Sequence, residues 1–339
     1  MRRFWIVCGV IFIAFSCPIK AQDIHFTQFE SSPMTLNPAL TGLFEGSHRF
    51  AVNNRMQWRS VTVPYLTVAA SLDMPIVIRE YKRDIIGLGF NIFRDVAGDS
   101  HFGTTQLNYS LSYIKAIDHK NVNFLSVGFI NGIAQRTISY TDLTFDSQFD
   151  GYQYDANLNN KETFERDNFM YMDLGIGANW RYQPKAHKIV NTGISYSHIN
   201  KPGQSFIDDS KIRLDPKFTF YSYGIIEAIY GIDLLPKIIF QKQGAYRELI
   251  LGFATKFIRR PKPADYLAVH TGFYFRSSDA LVLQGGLDMK STYVSLSYDF
   301  NISGLVPAST SRGGFELAIV YKISKLKKVR VKTLTCPIF

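Results

Sequence analysis

Groups able to bind or catalyse are scattered along this chain rather than gathered. It has seven histidines, none in the His-Glu-x-x-His spacing that sets two imidazoles on one helix face around zinc. His270, in the run LAVHTGFYF, invites comparison with the histidine of a barrel-wall serine hydrolase. Without a partner at a defined spacing it reads as a packed or lumen-facing side chain. DLTFDSQFDGYQYD brings Asp142, Asp146, Asp150 and Asp155 close together, but the spacing misses that of a calcium loop, so they read as solvated loop acids. Gly87 and Gly89 lie inside an alternating run and not at a strand-to-helix turn, so they are not a phosphate loop. No catalytic constellation emerges, and no cofactor or metal is expected.

Charge is the remaining chemistry. Lys and Arg number 38 against 28 Asp and Glu, a formal net charge of +10. Arg2, Arg3 and Lys20 lie ahead of residue 22, and Lys325, Lys327, Lys328, Arg330 and Lys332 lie in residues 323–339 without an acid. Between them remain 30 basic and 28 acidic residues, a nearly neutral body. That excludes a nucleic-acid binder, which needs a basic body surface, and suits a tail that meets an acidic protein or lipid headgroups. Leu326, Val329, Val331 and Leu334 alternate with the cations, so the tail is expected to be a docking strip.

The elements that must carry these groups begin with a leader. Arg2 and Arg3, an apolar run from Phe4 to Cys17 and the small Ala21 make residues 1–21 a secretory signal peptide. The run is too short for a membrane-spanning helix, the alternative reading. Cys8 and Cys17 would leave with it, so Cys336 remains and no internal disulfide is expected. From about Ser47 the pattern has period two. STYVSLSYDF places Leu296, Tyr298 and Phe300 on one face and Ser295, Ser297 and Asp299 on the other. About fourteen such segments occur, near 48–58, 65–74, 85–94, 102–114, 122–135, 169–182, 188–198, 217–227, 232–241, 247–257, 266–276, 280–288, 291–300 and 314–322. Many are about ten residues, enough for a tilted strand to cross a bilayer. Pro236 weakens the ninth.

The fifth, seventh and thirteenth connections are the longest, as for outward loops with both termini periplasmic. The fold expected is all-β: an integral outer-membrane antiparallel barrel over residues 47–322. An N-terminal periplasmic or plug segment (22–46) precedes it, and the basic periplasmic tail (323–339) follows. A soluble two-sheet protein is the alternative. Apolar faces would meet lipid and polar, glycine-rich faces the lumen. Trp58, Tyr65, Trp180, Tyr182, Tyr274 and Tyr298 near segment ends would form interfacial girdles.

The stretch QDIHFTQFESSPMTLNPALTG carries Gln22, Asp23, His25, Phe26, Gln28, Phe29, Leu36, Asn37, Pro38, Ala39 and Gly42. It resembles the N-terminal signature of the PorP/SprF family of the type IX secretion system. VNNRMQWRSV, with Arg55, Gln57 and Trp58, resembles that family's arginine–glutamine–tryptophan strand. YDFNISGLVPASTSRGGFELAIVY resembles its last hairpin through Tyr298, Asp299, Ser303, Leu305, Ala308, Arg312, Gly313, Gly314, Phe315 and Glu316. The terminal CPIF (Cys336, Pro337, Ile338, Phe339) is similar to the family's Cys-Pro-Arg-Phe. Ile338 replaces the arginine, which weakens any charge-dependent role there. The resemblance implies a non-enzymatic outer-membrane barrel that assists secretion or surface attachment of cargo with a C-terminal sorting domain, such as gliding adhesins. Its partners would be outer-membrane lipid, periplasmic secretion components and that cargo, not nucleic acid. A channel for small or hydrophobic solutes is the alternative.

Overall fold

The computed structural model describes residues 23–57, 59, 63–79, 84–141, 143–155, 157–158, 166–262, 265–304 and 306–323. The expectations for residues 1–21 and for Gln22, Trp58, Asp142, Leu305, Lys325, Lys327, Lys328, Arg330, Lys332, Cys336, Pro337 and Phe339 fall outside these residues.

Alternation produces fourteen strands: β1 (His48–Gln57), β2 (Tyr65–Arg79), β3 (Asp84–Ala97), β4 (Phe102–Ala116), β5 (Asn123–Thr137), β6 (Asn168–Lys185), β7 (Lys188–Ser197), β8 (Lys217–Ile229), β9 (Ile232–Gln243), β10 (Tyr246–Arg260), β11 (Leu267–Arg276), β12 (Ala280–Met289), β13 (Thr292–Asn301) and β14 (Arg312–Ile323). Sequence neighbours pair antiparallel, and β1 pairs with β14 to close the barrel. Closure leaves no unpaired edge, which a strand-built membrane protein requires. Each strand turns its apolar side outward: Leu296 is 51% exposed and Ser295 2%. Met170, Met172, Leu107 and Phe90 share the outer surface.

Most strands outrun the expected segments, up to 18 residues in β6, because ladder pairing continues beyond the apolar band. Pro236 stays in β9 opposite Phe253 of β10. On its other side the ladder passes from the Tyr223–Lys237 pair to the Ile226–Leu234 pair. The missing N–H therefore falls where pairing is interrupted. The connections 138–167, 198–216 and 302–311 share one end of the barrel; turns such as 230–231 and 290–291 share the other. Tyr274 departs from the expected girdle. It is 1% exposed, because the even-numbered positions of β11, from Ala268 to Arg276, face inward.

Residues 23–46 fill the lumen as a plug. A 3₁₀ turn (Phe29–Ser31), a one-turn helix (Pro33–Leu36) and a second 3₁₀ turn (Pro38–Leu40) follow one another. Asn37 Oδ1 caps the last by accepting the Ala39 N–H at 2.8 Å. Pro38 there stops any strand from continuing. Phe29, Leu36 and Leu40 form a core with Tyr221, Ile239, Ile250, Tyr274 and Val282 of the wall. Phe26 packs on Ala69 and Phe93. The plug runs the height of the lumen. Asp23 meets Gln243 and Lys217 at the long-loop end, while Gly46 lies against Ile323 at the short-loop end. The described chain thus starts at the long-loop end, not at the short-loop end where both termini were expected.

Candidate functional site

The seat of the plug is a dense polar assembly. The lumen-facing Glu316 of β14 accepts the Thr27 and Gln28 N–H groups, each at 2.8 Å. The Gln28 side chain donates to Ser297 Oγ and to the Glu316 carbonyl, and accepts from Gln284 and Ser295. Arg55 of β1, opposite Glu316 in register, donates to the His25 carbonyl at 2.5 Å and to Asp299 at 3.3 Å. Arg276 joins Asp299, Asp279 and the Thr27 hydroxyl. Lys237 reaches Glu30 at 3.0 Å with its ammonium 3.7 Å from the Tyr274 ring centre. A buried charge is tolerable only when paired and hydrogen-bonded, and here the plug backbone completes the pairing.

Lower down, shape does the work. Asn37 Nδ2 donates to the Ala178 and Ile194 carbonyls and to the Tyr221 hydroxyl, at 3.0, 2.9 and 3.1 Å. Wall glycines admit this approach. A Cβ on Gly128 would lie 2.3 Å from the Pro38 carbonyl carbon, and one on Gly177 2.0 Å from Asn37 Oδ1. Gly87 and Gly89 face Thr41 and Met34 in the same way. Asp73 accepts the Gly42 N–H at 2.7 Å and holds Arg49, which donates to the Leu40 carbonyl. Gly42 has φ +70°, a conformation that suits glycine. Beneath the plug a recess of about 440 Å³, lined by Leu43, Phe44, Pro75, Val77, Phe124 and Arg181 among others, opens at the short-loop end.

The plug's first residues are held electrostatically. Burial works to raise the Asp23 carboxyl, but Lys217 and His198 override it and hold Asp23 well below the carboxylate range. Burial pulls His198 down, yet bonds to Asp173 (2.8 Å) and Asp23 (3.3 Å) push it up to about 9. Burial and then the cations Arg55 and Arg276 push His25 well below its usual range. The imidazole is therefore neutral, and its 3.4 Å approach to Glu248 is a polar contact, not an ion pair.

The structure thus gathers the described signature residues. Asp23, His25, Phe26, Gln28, Phe29, Leu36, Asn37, Pro38, Ala39 and Gly42 are the plug, and Arg55, Asp299 and Glu316 are its seat. Gly313 and Gly314 pack against the Asp299 and Met56 carbonyls, with Gln57 beside Gly314. Ser303 bonds Asn301, while Arg312 is exposed and Phe315 faces outward. Outside the seat, His270 is buried against Tyr293, 3.8 Å from Asp288. Asp150 caps the Tyr152 and Gln153 N–H groups, and Asp155 that of Asn157. Sequence reading missed Asp73, His198, Lys217, Lys237 and Arg276. Each is a charged or titratable group at a lumen position or strand end, where alternation alone could have drawn notice.

A family model described as "Type IX secretion system membrane protein PorP/SprF" matches residues 19–321. No curated protein matches in sequence. Among solved structures, the Ralstonia pickettii toluene transporter TbuX aligns with TM-score 0.50 at 9% identity, over 87% of this chain and 94% of that one. The monoaromatic hydrocarbon channel CymD aligns with TM-score 0.48 at 12% identity, over 87% and 93%. A Pseudomonas aeruginosa FadL homologue aligns with TM-score 0.46 at 9%, over 84% and 92%. At such identity the likeness to TbuX speaks for the outer-membrane barrel fold alone.

Proposed function

Because this chain belongs to the PorP/SprF family of type IX secretion system membrane proteins, we propose that it works as a plugged barrel assisting secretion or surface attachment of cargo proteins. Family and fold are of a secretion and transport kind, and place the chain in the outer membrane. The long loops would face outward and meet cargo such as gliding adhesins with a C-terminal sorting domain. The tail, through Lys325, Lys327, Lys328, Arg330 and Lys332, would dock a periplasmic secretion component. The plug is the observation that carries this reading: its polar groups are spent on the wall, with Gln28 and Asn37 completely buried, so the barrel serves as a scaffold and not as an open pore. A solute channel would need that seat to open.

The test compares cells making the full chain with cells making residues 1–322. The expected result is inserted barrel in both, with cargo display and co-purification of periplasmic components lost on truncation. Normal display by the truncated chain would overturn the tail's role. A solute-uptake defect with normal display in cells lacking the protein would instead favour the channel.

A further inference from the structure

The neutral body conceals an uneven distribution of charge. At the short-loop end Lys120, Lys185, Lys188, Lys262, Lys290 and Lys322 are exposed. None of the six forms an ion pair with an acid among the described residues, although Asp288 attracts Lys322 at longer range. Most acids there are engaged: Asp118 accepts the Asn123 N–H at 2.8 Å, Asp233 meets His187 at 2.8 Å, Asp288 holds Lys256 at 2.7 Å and Asp265 holds Arg260 at 3.1 Å. The buried Asp84 and the exposed Glu227, which faces Asp233 in register, form no ion pair among the described residues, and two acids do not balance the six lysines.

Two registers set cation against cation, Lys185 opposite Lys188 and Arg49 opposite Lys322. Directly opposed like charges destabilise a sheet. Arg49 has an ion pair with Asp73; Lys322 forms none among the described residues, with Asp288 acting on it only at longer range. Lipid headgroups do not account for the set. Lys120, Lys262 and Lys290 lie in connections beyond the strand ends, and Lys322 alternates with the outward-facing Tyr321 and Ile323, so it faces the lumen. By contrast, Lys242 opposite Arg247 at the long-loop end shares the lipid-facing side of Ile238, where headgroup phosphates are at hand.

We propose that the short-loop face is a docking surface for an acidic protein surface in the periplasm, with the turn lysines as its contacts. This rests on the reading of the chain as a secretion component, and extends the docking role from the tail to the folded barrel. An acidic partner relieves the opposed cations and is drawn to the face by long-range attraction.

The test uses the full chain in intact cells with photoreactive benzoylphenylalanine in place of Ser291, beside Lys290. Irradiation should give a protein cross-link whose partner peptide is rich in Asp and Glu. Reversal of five turn lysines (K120E, K185E, K188E, K262E and K290E) should lower the yield at least tenfold while heat-modifiability shows an intact barrel. If that variant does not insert, outer-membrane vesicles carrying the cross-linker are irradiated in about 1 M instead of about 0.01 M salt, where screening shortens from about 30 to about 3 Å; the same loss is expected. Cross-links to lipid or to neutral or basic peptides, no cross-link, or a yield indifferent to reversal or salt would each overturn the proposal. The tail is untouched, so such a failure leaves the secretion reading to be judged by cargo display.

Discussion

Gly128→Ala puts the seating of the plug to a quantitative test. Gly128 pairs with Gly177 of β6 in an ordinary strand conformation, so alanine is compatible with the wall. Its Cβ would nevertheless stand 2.3 Å from the Pro38 carbonyl carbon and 2.4 Å from the Ala39 nitrogen, both backbone atoms. Restoring an ordinary contact of at least 3.4 Å moves the second 3₁₀ turn away by about 1 Å. That stretches the three Asn37 Nδ2 hydrogen bonds to about 4 Å, where they no longer hold. The amide has two N–H groups to share among these three acceptors, so at a net 1 kcal/mol or so per N–H about 2 kcal/mol of docking is lost, and at 1.36 kcal/mol per decade the plug opens about thirtyfold more often. Hydrogen exchange of residues 33–45 in the full barrel reads this directly, as an equal loss of protection. Gly285→Ala is the control, since a Cβ there meets nothing within 4 Å. Plug protection within twofold of wild type in Gly128→Ala would refute the contact argument.

Three further outcomes are expected. Glu316→Gln leaves a single carbonyl oxygen for two buried N–H groups, so exchange at Thr27 and Gln28 should rise at least tenfold while the barrel stays heat-modifiable; unchanged exchange there counts against the clamp. His198, raised to about 9, contributes stability that is complete below about 6.5 and lost as pH rises through 9, whereas the lowered Asp23 contributes above about 4 and fails only in acid. A spin label at Ile24→Cys should therefore gain mobility near pH 9, and a flat profile to pH 10.5 would count against the latch. Leu296→Arg, facing lipid, should cost about 2–4 kcal/mol of barrel stability and Ser295→Arg should displace Gln28 instead; folded-barrel yield equally reduced in both would contradict the register.

The barrel was legible because lipid and lumen impose opposite demands at a period of two residues. STYVSLSYDF alone separates Leu296 from Ser295, and all fourteen segments became strands. Pro236 shows where pattern gives way to pairing: whether its absent N–H matters depends on which neighbour it faces, and that is set by the register with β8. Tyr274 shows a second limit, since an aromatic residue near a strand end satisfies both a girdle and a lumen core; parity on β11 chooses the core. The plug was visible only as an aromatic, amide-rich interruption. Its seat was not visible, because Gln28 and Glu316, or Asn37 and Tyr221, are brought together by closure and not by sequence spacing. The body's near-zero net charge likewise hid an arrangement that only topology reveals.

Closure also explains why the two ends of the chain carry the resemblance. The closing ladder joins β1 to β14, elements more than 250 positions apart in sequence, so its loop-closure entropy is the largest in the barrel. The plug is continuous with β1, and through Thr27 and Gln28 it bonds Glu316 of β14, which faces Arg55 of β1 across that seam. A docked plug therefore touches both strands of the closing ladder and adds side-chain bonds to its backbone bonds. In its absence Arg55, Asp299 and Glu316 would face one another in the lumen with fewer donors and acceptors satisfied, which penalises a closed but empty barrel. Seating of the plug and closing of the seam thus favour each other, and variants that unseat the plug at Glu316 should slow barrel closure more than variants at Asn37, whose bonds to β6, β7 and β8 lie far from the seam. Folding rates into detergent micelles followed by heat-modifiability measure the difference, and equal rates for Glu316→Gln and Asn37→Ala would separate docking from closure.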